Sequence, residues 1–138
     1  MAAQQPLKYT VTHYRKAEHT HEDFIKWITE VHLPLAIPIF KKHGVLEYSL
    51  FVTPNSLNSA LKEEMGKFRP TWDFADFDCF IEYTITDLQV IKNVISDPDW
   101  AAAIANQDDW VDTSKALVSV GHSTPYLLQT GEVVNLSK

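Results

Sequence analysis

The chain holds one cysteine, Cys79, so no internal disulfide can staple it, and a reducing, cytoplasmic setting is expected. Glycine is almost as scarce. Gly44, Gly66, Gly121 and Gly131 are isolated from one another, which excludes a loop of the kind that cradles phosphates. No run of five or more basic residues occurs, and a formal net charge of −6 argues against nucleic acid or an anionic membrane as partner. The apolar stretches fall short of the ~18 residues that a membrane span needs, and "MAAQQPLKY" lacks the charged-then-apolar order of a signal peptide. Gly-x-Ser-x-Gly is absent, and Cys79 lies in a strand pattern rather than a nucleophile context. The six histidines include His19 and His21, but these flank a predicted helix start and are expected in solvent, and no zinc-like Cys/His spacing exists. Neither a metal nor a cofactor is expected.

What is present is ordinary globular material. At 138 residues and 45% hydrophobic, the chain is read as one domain over 1–138. "LKYTVTHYR" (7–15) alternates as a strand, with Tyr9, Val11 and His13 on one face and Thr10, Thr12 and Tyr14 on the other. A long helix should start at Thr20 as N-cap, carry Glu22 and Asp23 in its first turn, and stop at Gly44. Strands are expected over 45–53 and 77–85, a helix over 87–95, a short helix from Asp97-Pro98, and a last strand over 116–130 broken at Gly121 and Pro125. Between 54 and 76 only 60–68 looks helical. The order β-α-β-β-α-β predicts an α+β, ferredoxin-like antiparallel sheet with helices on one face. Apolar residues on both strand faces (Phe80 with Tyr83, Tyr48 with Phe51) predict a homodimer whose sheets pack together.

The stretch "EVHLPLAIPIF" (30–40) interrupts the long helix twice. Pro34 and Pro38 each remove an N–H and should bend or loosen the helix where His32 projects. Phe24, Ile28, Val31 and Leu35 form a stripe with Trp27 on its flank and His32 near its edge. Two readings stay open: an acid/base group at the wet end of an apolar groove, or a boundary histidine beside prolines that merely end a helix.

"HYRKAEHTHEDFIKWITEVHLPLA" resembles the opening of EthD-type proteins, on Arg15, Lys16, Phe24, Trp27, His32, Leu33 and Pro34, with leucine here between the histidine and the proline. "DPDWAAAIANQDDWVDTSKALVSVGHSTPYLLQTGE" is similar to the C-terminal part of a fungal branch of that family. The resemblance, spanning about residues 8–134, implies a dimeric α+β barrel. It also implies a lyase of aromatic polyketide secondary metabolism: a decarboxylase of anthraquinone-precursor acids such as atrochrysone carboxylic acid. Dehydration, cofactor-free oxidation of an anthrone and non-catalytic binding of a polyketide are the alternatives.

Cofactor-free chemistry of this kind needs a group titrating near neutrality and donors aimed at a developing enolate, with little water. His32 is the first candidate for the acid/base. His13, His122 and Tyr48 are the further catalytic candidates, the first two from strands and Tyr48 as an oxyanion donor. Phe24, Trp27, Ile28 and Tyr83 are candidates for lining the ligand groove. Trp72 is expected on an aromatic lid formed by 54–76, and Asp112 is placed to orient a histidine. Each has a structural alternative: core packing, a strand end or bulge, a solvated loop.

Overall fold

The computed structural model describes residues 5–137. Four strands, β1 (Leu7–His13), β2 (Glu47–Val52), β3 (Cys79–Ile85) and β4 (Val118–Gly121), form one sheet. Its order is β2-β3-β1-β4 and all its pairs are antiparallel. This is the ferredoxin-like α+β arrangement the element order predicts. Helices α1 (His21–Trp27), α2 (Leu33–Lys42), α4 (Gln89–Ile95) and the short α5 (Trp100–Ala103) lie against one face, and α6 (Gln107–Trp110) follows α5.

Local signals set the ends of the first helical run. The Thr20 hydroxyl accepts the Asp23 N–H at 3.1 Å, and Gly44 takes φ +87°, a left-handed stop that glycine adopts without a Cβ clash. Between α1 and α2 the chain is neither broken nor simply bent. Residues Ile28–His32 form a π turn, in which the Leu33 N–H reaches the Ile28 carbonyl. Pro34 has no N–H to return to the carbonyl of Glu30, and its ring crowds that carbonyl, so the preceding turn widens. Pro38 sits inside α2, which continues to Lys42.

Two apolar clusters fill the space between helices and sheet. Phe24, fully buried, packs with Trp27, Ile28, Cys79 and Val111; one such phenyl ring contributes about 1.5–3 kcal/mol over an exposed one. The second cluster joins Ala36, Ile39 and Phe40 of α2 to Ile81, Tyr83 and Ile85 of β3 and to Val90 and Val94 of α4.

Two buried carboxylates tie remote segments together. Asp78 accepts from the Arg15 backbone N–H (2.8 Å), the Arg15 guanidinium (2.9 Å) and His21 Nδ1–H (2.9 Å). His21 is therefore buried rather than solvated, and Arg15 closes a strand end instead of waiting for a ligand carboxylate. Asp97 accepts from Lys42 Nζ (2.9 Å), His43 Nε2–H (2.7 Å) and the Asp99 N–H (2.8 Å). These bonds hold its carboxyl well below the usual range and pin the end of α2 to the start of α5.

Three expectations change. Helix α3 spans Asn55–Phe68, longer than the pattern over 60–68, and buries no residue. Its turns are helical because nothing in 55–68 opposes a helix except Gly66, while its apolar side chains Leu57, Leu61 and Phe68 stay exposed. The sheet face away from the helices carries a Lys8–Glu82 ion pair at 3.1 Å and a Thr10–Ser119 hydroxyl contact. It is apolar only at the corner where Phe51 and Phe80 meet, 6.2 Å apart. Beyond β4 the chain forms an arm, not more strand: Leu127 bridges Val133 and the Val134 N–H bonds the Tyr126 carbonyl at 2.9 Å. Pro125 cannot donate to a ladder, which ends the strand pairing before it.

Candidate active site

A cavity of about 310 Å³ opens between the sheet and the helices, within the usual range for small-molecule sites. Its floor is laid out by strand register. Tyr48, Tyr83 and Tyr9 stand opposite one another across β2, β3 and β1; Ile81 and Val11 line the cavity from the next row, beside Leu50, and His13 lines it from the third, beside Cys79 and Val52, which lie outside the lining. Side chains two residues apart share a face, so Tyr9, Val11 and His13 all look toward the helices, as the alternation in the first strand predicts. Trp27, Ile28 and His32 wall the cavity from α1 and the π turn, and Trp100 from α5. No Asp, Glu, Lys or Arg belongs to the lining.

The π turn delivers His32 to this wall. Its Nδ1–H donates to the Ala103 carbonyl at 3.0 Å. That bond fixes the neutral tautomer and leaves Nε2 as the free, basic nitrogen. The imidazole stacks on Trp27 with centroids 5.5 Å apart and meets the edge of Trp100 at 6.2 Å. Burial lowers its pKa from the usual histidine value, and the Ala103 carbonyl partly offsets this. His13 is lowered further, to about 4, by burial first and by the nearby His32 charge second. Its Nδ1 is buried without a partner among the described residues. Both imidazoles are therefore neutral at pH 7, and a charge on His32 opposes protonation of His13. Burial raises the phenols of Tyr48 and Tyr83 well above the usual tyrosine value, so both stay protonated and remain donors. The Cys79 thiol, pushed up to about 12 by burial and by Asp78, is packing, not chemistry.

The structure brings His13, His32, Tyr48, Tyr83, Trp27 and Ile28 to one cavity and leaves four other candidates outside it. His122 is exposed beyond β4, with Nδ1–H donating to the Pro6 carbonyl at 3.2 Å; β4 is an edge strand, and its end lies beside the N-terminal segment. Phe24 points past the cavity into the core against Cys79, because its place in α1 faces the sheet rather than the opening. Trp72 is 54% exposed, held by the Arg69 guanidinium 5.4 Å over its ring; the aromatics of 68–77 do not gather as a cover. Asp112 orients no histidine: its carboxylate accepts from the Ser114 N–H (3.2 Å) and hydroxyl (2.6 Å), starting a short 3-10 turn. Tyr9 and Trp100 are cavity residues that pattern reading passed over. Tyr9 was within reach of it, since it shares the strand face of His13; Trp100 depends on the Asp97 clasp, which no local pattern announces. Among the described residues, no group of three or more His, Cys, Asp or Glu side chains is arranged to hold a metal ion, and no helix is long and apolar enough to cross a membrane.

The depressed His13 pKa makes stability pH-dependent. Folded His13 stays neutral while the unfolded chain takes up a proton below about pH 6.5, so stability is complete above 6.5 and falls as pH drops toward 4. The loss is on the order of 3 kcal/mol at 1.36 kcal/mol per unit. Urea unfolding at pH 7 and pH 4.5 should show a smaller acid loss for His13→Phe than for the wild type; equal losses would contradict the buried neutral ring.

The EthD domain model matches residues 16–114. The chain is 36% identical to the dehydratase iacD of Pestalotiopsis fici over all of this chain and 99% of that protein. It is 26% identical to the decarboxylase nsrE of Aspergillus novofumigatus, over 94% of this chain and 84% of that one. Among solved structures it resembles an EthD family protein of Bacillus halodurans, with TM-score 0.56, 13% identity, and 86% and 99% of the two chains covered. A dimeric ferredoxin-like protein of Thermobifida fusca gives TM-score 0.52 and 12% identity over 86% and 92%. The chain belongs to the EthD-domain family, and its fungal relatives are named dehydratases, decarboxylases and a putative oxygenase.

Proposed function

We propose that this protein is a cofactor-independent lyase of aromatic polyketide biosynthesis, acting in the cytoplasm, and that its reaction is loss of water from a hydroxylated ring ketone. The observation that carries the reading is the pair of neutral imidazoles, His32 and His13, at one end of an aromatic cavity lined by no formal charge. The 36% identical dehydratase supports the same choice.

The chemistry follows from the arrangement. Nε2 of His32 takes the proton from the carbon next to the ketone, and the electron pair moves onto the ketone oxygen. The neutral His13 ring donates a hydrogen bond to that oxygen, where it lowers the barrier most because the site is dry. The His32 imidazolium is stabilised by the Trp27 face beside it. It then returns its proton to the departing β-hydroxyl; the C–O bond breaks, water leaves and a C=C bond forms. In a partly reduced ring the new double bond completes an aromatic system.

Decarboxylation is the second reading. The uncharged lining favours it, since a carboxylate there loses its hydration without gaining a cation and leaves more readily as CO₂; relatives named decarboxylases stand beside it. Mass spectrometry of a β-hydroxy ketone and of its carboxylated parent, each incubated with the protein, separates loss of water from loss of CO₂. Binding without turnover would refute both.

His32→Ala should lower kcat by about 10²–10⁴-fold with a thermal midpoint close to the wild type. His32→Gln keeps a donor for the Ala103 carbonyl but no titrating base, so it should fold, bind and turn over as poorly as the alanine variant. Near-wild-type kcat in a folded His32→Ala protein would remove the residue from the mechanism.

We also propose that the chain works as a homodimer. Leu117, Val118 and Val120 on the edge of the sheet and Leu127, Val133 and Leu136 on the arm are each exposed, apolar side chains that a second copy of the chain would cover. The solved relative is described as dimeric. Sedimentation at micromolar concentration should give twice the 15.8 kDa chain mass; a stable monomer would contradict the assembly.

A further inference from the structure

The register of the sheet separates two kinds of polar group. Tyr48, Tyr83 and Tyr9 form an unbroken row across three neighbouring strands, and His13 stands four residues along β1 from Tyr9. At about 3.3 Å per residue the two rows lie ~13 Å apart. Only the aliphatic row of Leu50, Ile81 and Val11 lies between them. The rings of the tyrosine row are fixed by one another: Tyr48 and Tyr83 meet at 5.0 Å, Tyr9 and Tyr83 at 5.6 Å. Phe40 of α2 braces the row, 5.2 Å from Tyr48 and 5.1 Å from Tyr83.

These phenols are well placed and unused. Among the described residues no side chain or carbonyl hydrogen-bonds the hydroxyl of Tyr9, Tyr48 or Tyr83, none of the three oxygens is sealed from solvent, and all three residues line the cavity. Open to solvent and without a protein partner, three phenol hydroxyls in one row offer both donors and acceptors to the oxygens of a bound molecule.

We propose that the tyrosine row is the recognition subsite for the far edge of the ligand. It would take the phenolic or quinone oxygens of a flat, linearly fused three-ring system whose reacting ring lies at His13 and His32. This inference rests on the polyketide reading above. The aliphatic middle row suits the carbon faces of such a ligand, while the ~13 Å between the rows leaves room for a fused-ring system with an oxygen toward each end. Tyr48, in this arrangement, is a specificity residue at the distal end and not an oxyanion donor at the reacting carbon. The uncharged row selects neutral oxygens: a protonated phenol can donate to a carbonyl or accept from another phenol, but holds no cation for an acid group.

Quenching of the fluorescence of Trp27 and Trp100 provides the readout, with three probes: anthraquinone, 2-hydroxyanthraquinone and 2,6-dihydroxyanthraquinone. The wild type should bind the dihydroxy probe, which carries an oxygen at each end, about three- to tenfold more tightly than the monohydroxy probe, as one net hydrogen bond allows. Both should bind more tightly than anthraquinone. The triple variant Tyr9→Phe, Tyr48→Phe, Tyr83→Phe should bind the two hydroxylated probes equally. The single variant Tyr83→Phe should lose part of the difference. Thermal midpoints should hold or rise in these variants, because the hydroxyls have no protein partner. Undiminished discrimination in the triple variant, or in Tyr83→Phe if the triple variant does not fold, overturns the subsite, as does a wild type indifferent to the second oxygen. A lowered midpoint in Tyr83→Phe assigns the hydroxyl to the fold instead and also overturns it. Tyrosine-dependent discrimination in a protein that eliminates neither water nor CO₂ supports the subsite while removing the lyase reading. Turnover of a hydroxylated tricyclic substrate with KM unmoved by the tyrosine variants does the reverse.

Discussion

The hydrogen that Pro34 lacks is the constraint on which the site depends. An unbroken α-helix from Thr20 to Gly44 would satisfy its own backbone and place His32 wherever a 3.6-residue repeat put it. Without the Pro34 N–H, the turn before it opens into five π residues, and the imidazole at its end reaches the Ala103 carbonyl 71 positions away. That single bond makes one nitrogen the donor and leaves the other as a base. The Trp27 face and the Trp100 edge hold the ring in place. The Asp97 clasp, by fixing α5 to the end of α2, fixes the carbonyl that the bond needs.

The electrostatics of the cavity follow from what surrounds it. The carboxylates are consumed elsewhere: Asp78 by Arg15 and His21, Asp97 by Lys42 and His43. The cavity is left with imidazoles, phenols, an indole pair, the Gln107 amide and hydrocarbon. In such a place burial holds histidines neutral and tyrosines protonated. A base that is unprotonated at pH 7 stands at one end of the cavity and phenols that stay protonated line the other, so a ligand lying along the floor meets both.

Much of the fold was legible because it is written locally. Thr20, Gly44 and the alternation in "LKYTVTH" mark their own elements, and the element order gave the sheet. The shared face of Tyr9, Val11 and His13 came from the same alternation. The site was legible only in part. Proline chemistry shows that the helix must deform near His32, but whether the turn tightens, breaks or widens depends on what packs against it. The Asp78 cluster joins residues 57 and 63 positions apart, so His21 looks solvated until the chain is folded. Phe24 and Trp27 lie three residues apart on one helix, yet one is core and the other cavity wall; periodicity gives the side of a helix, not the depth. His122, Trp72 and Asp112 carry suitable chemistry on segments that the topology leaves outside.

His32 stands in the cavity as a neutral base with Nδ1 protonated and Nε2 free. Nitrogen-15 NMR of the histidine rings at pH 7 reads this directly. Expected are a neutral His32 ring whose proton sits on Nδ1, with a protonation midpoint below the ordinary histidine value of 6.5, and a His13 ring still neutral at pH 5. A His32 imidazolium at pH 7, or a neutral ring protonated at Nε2, would contradict it.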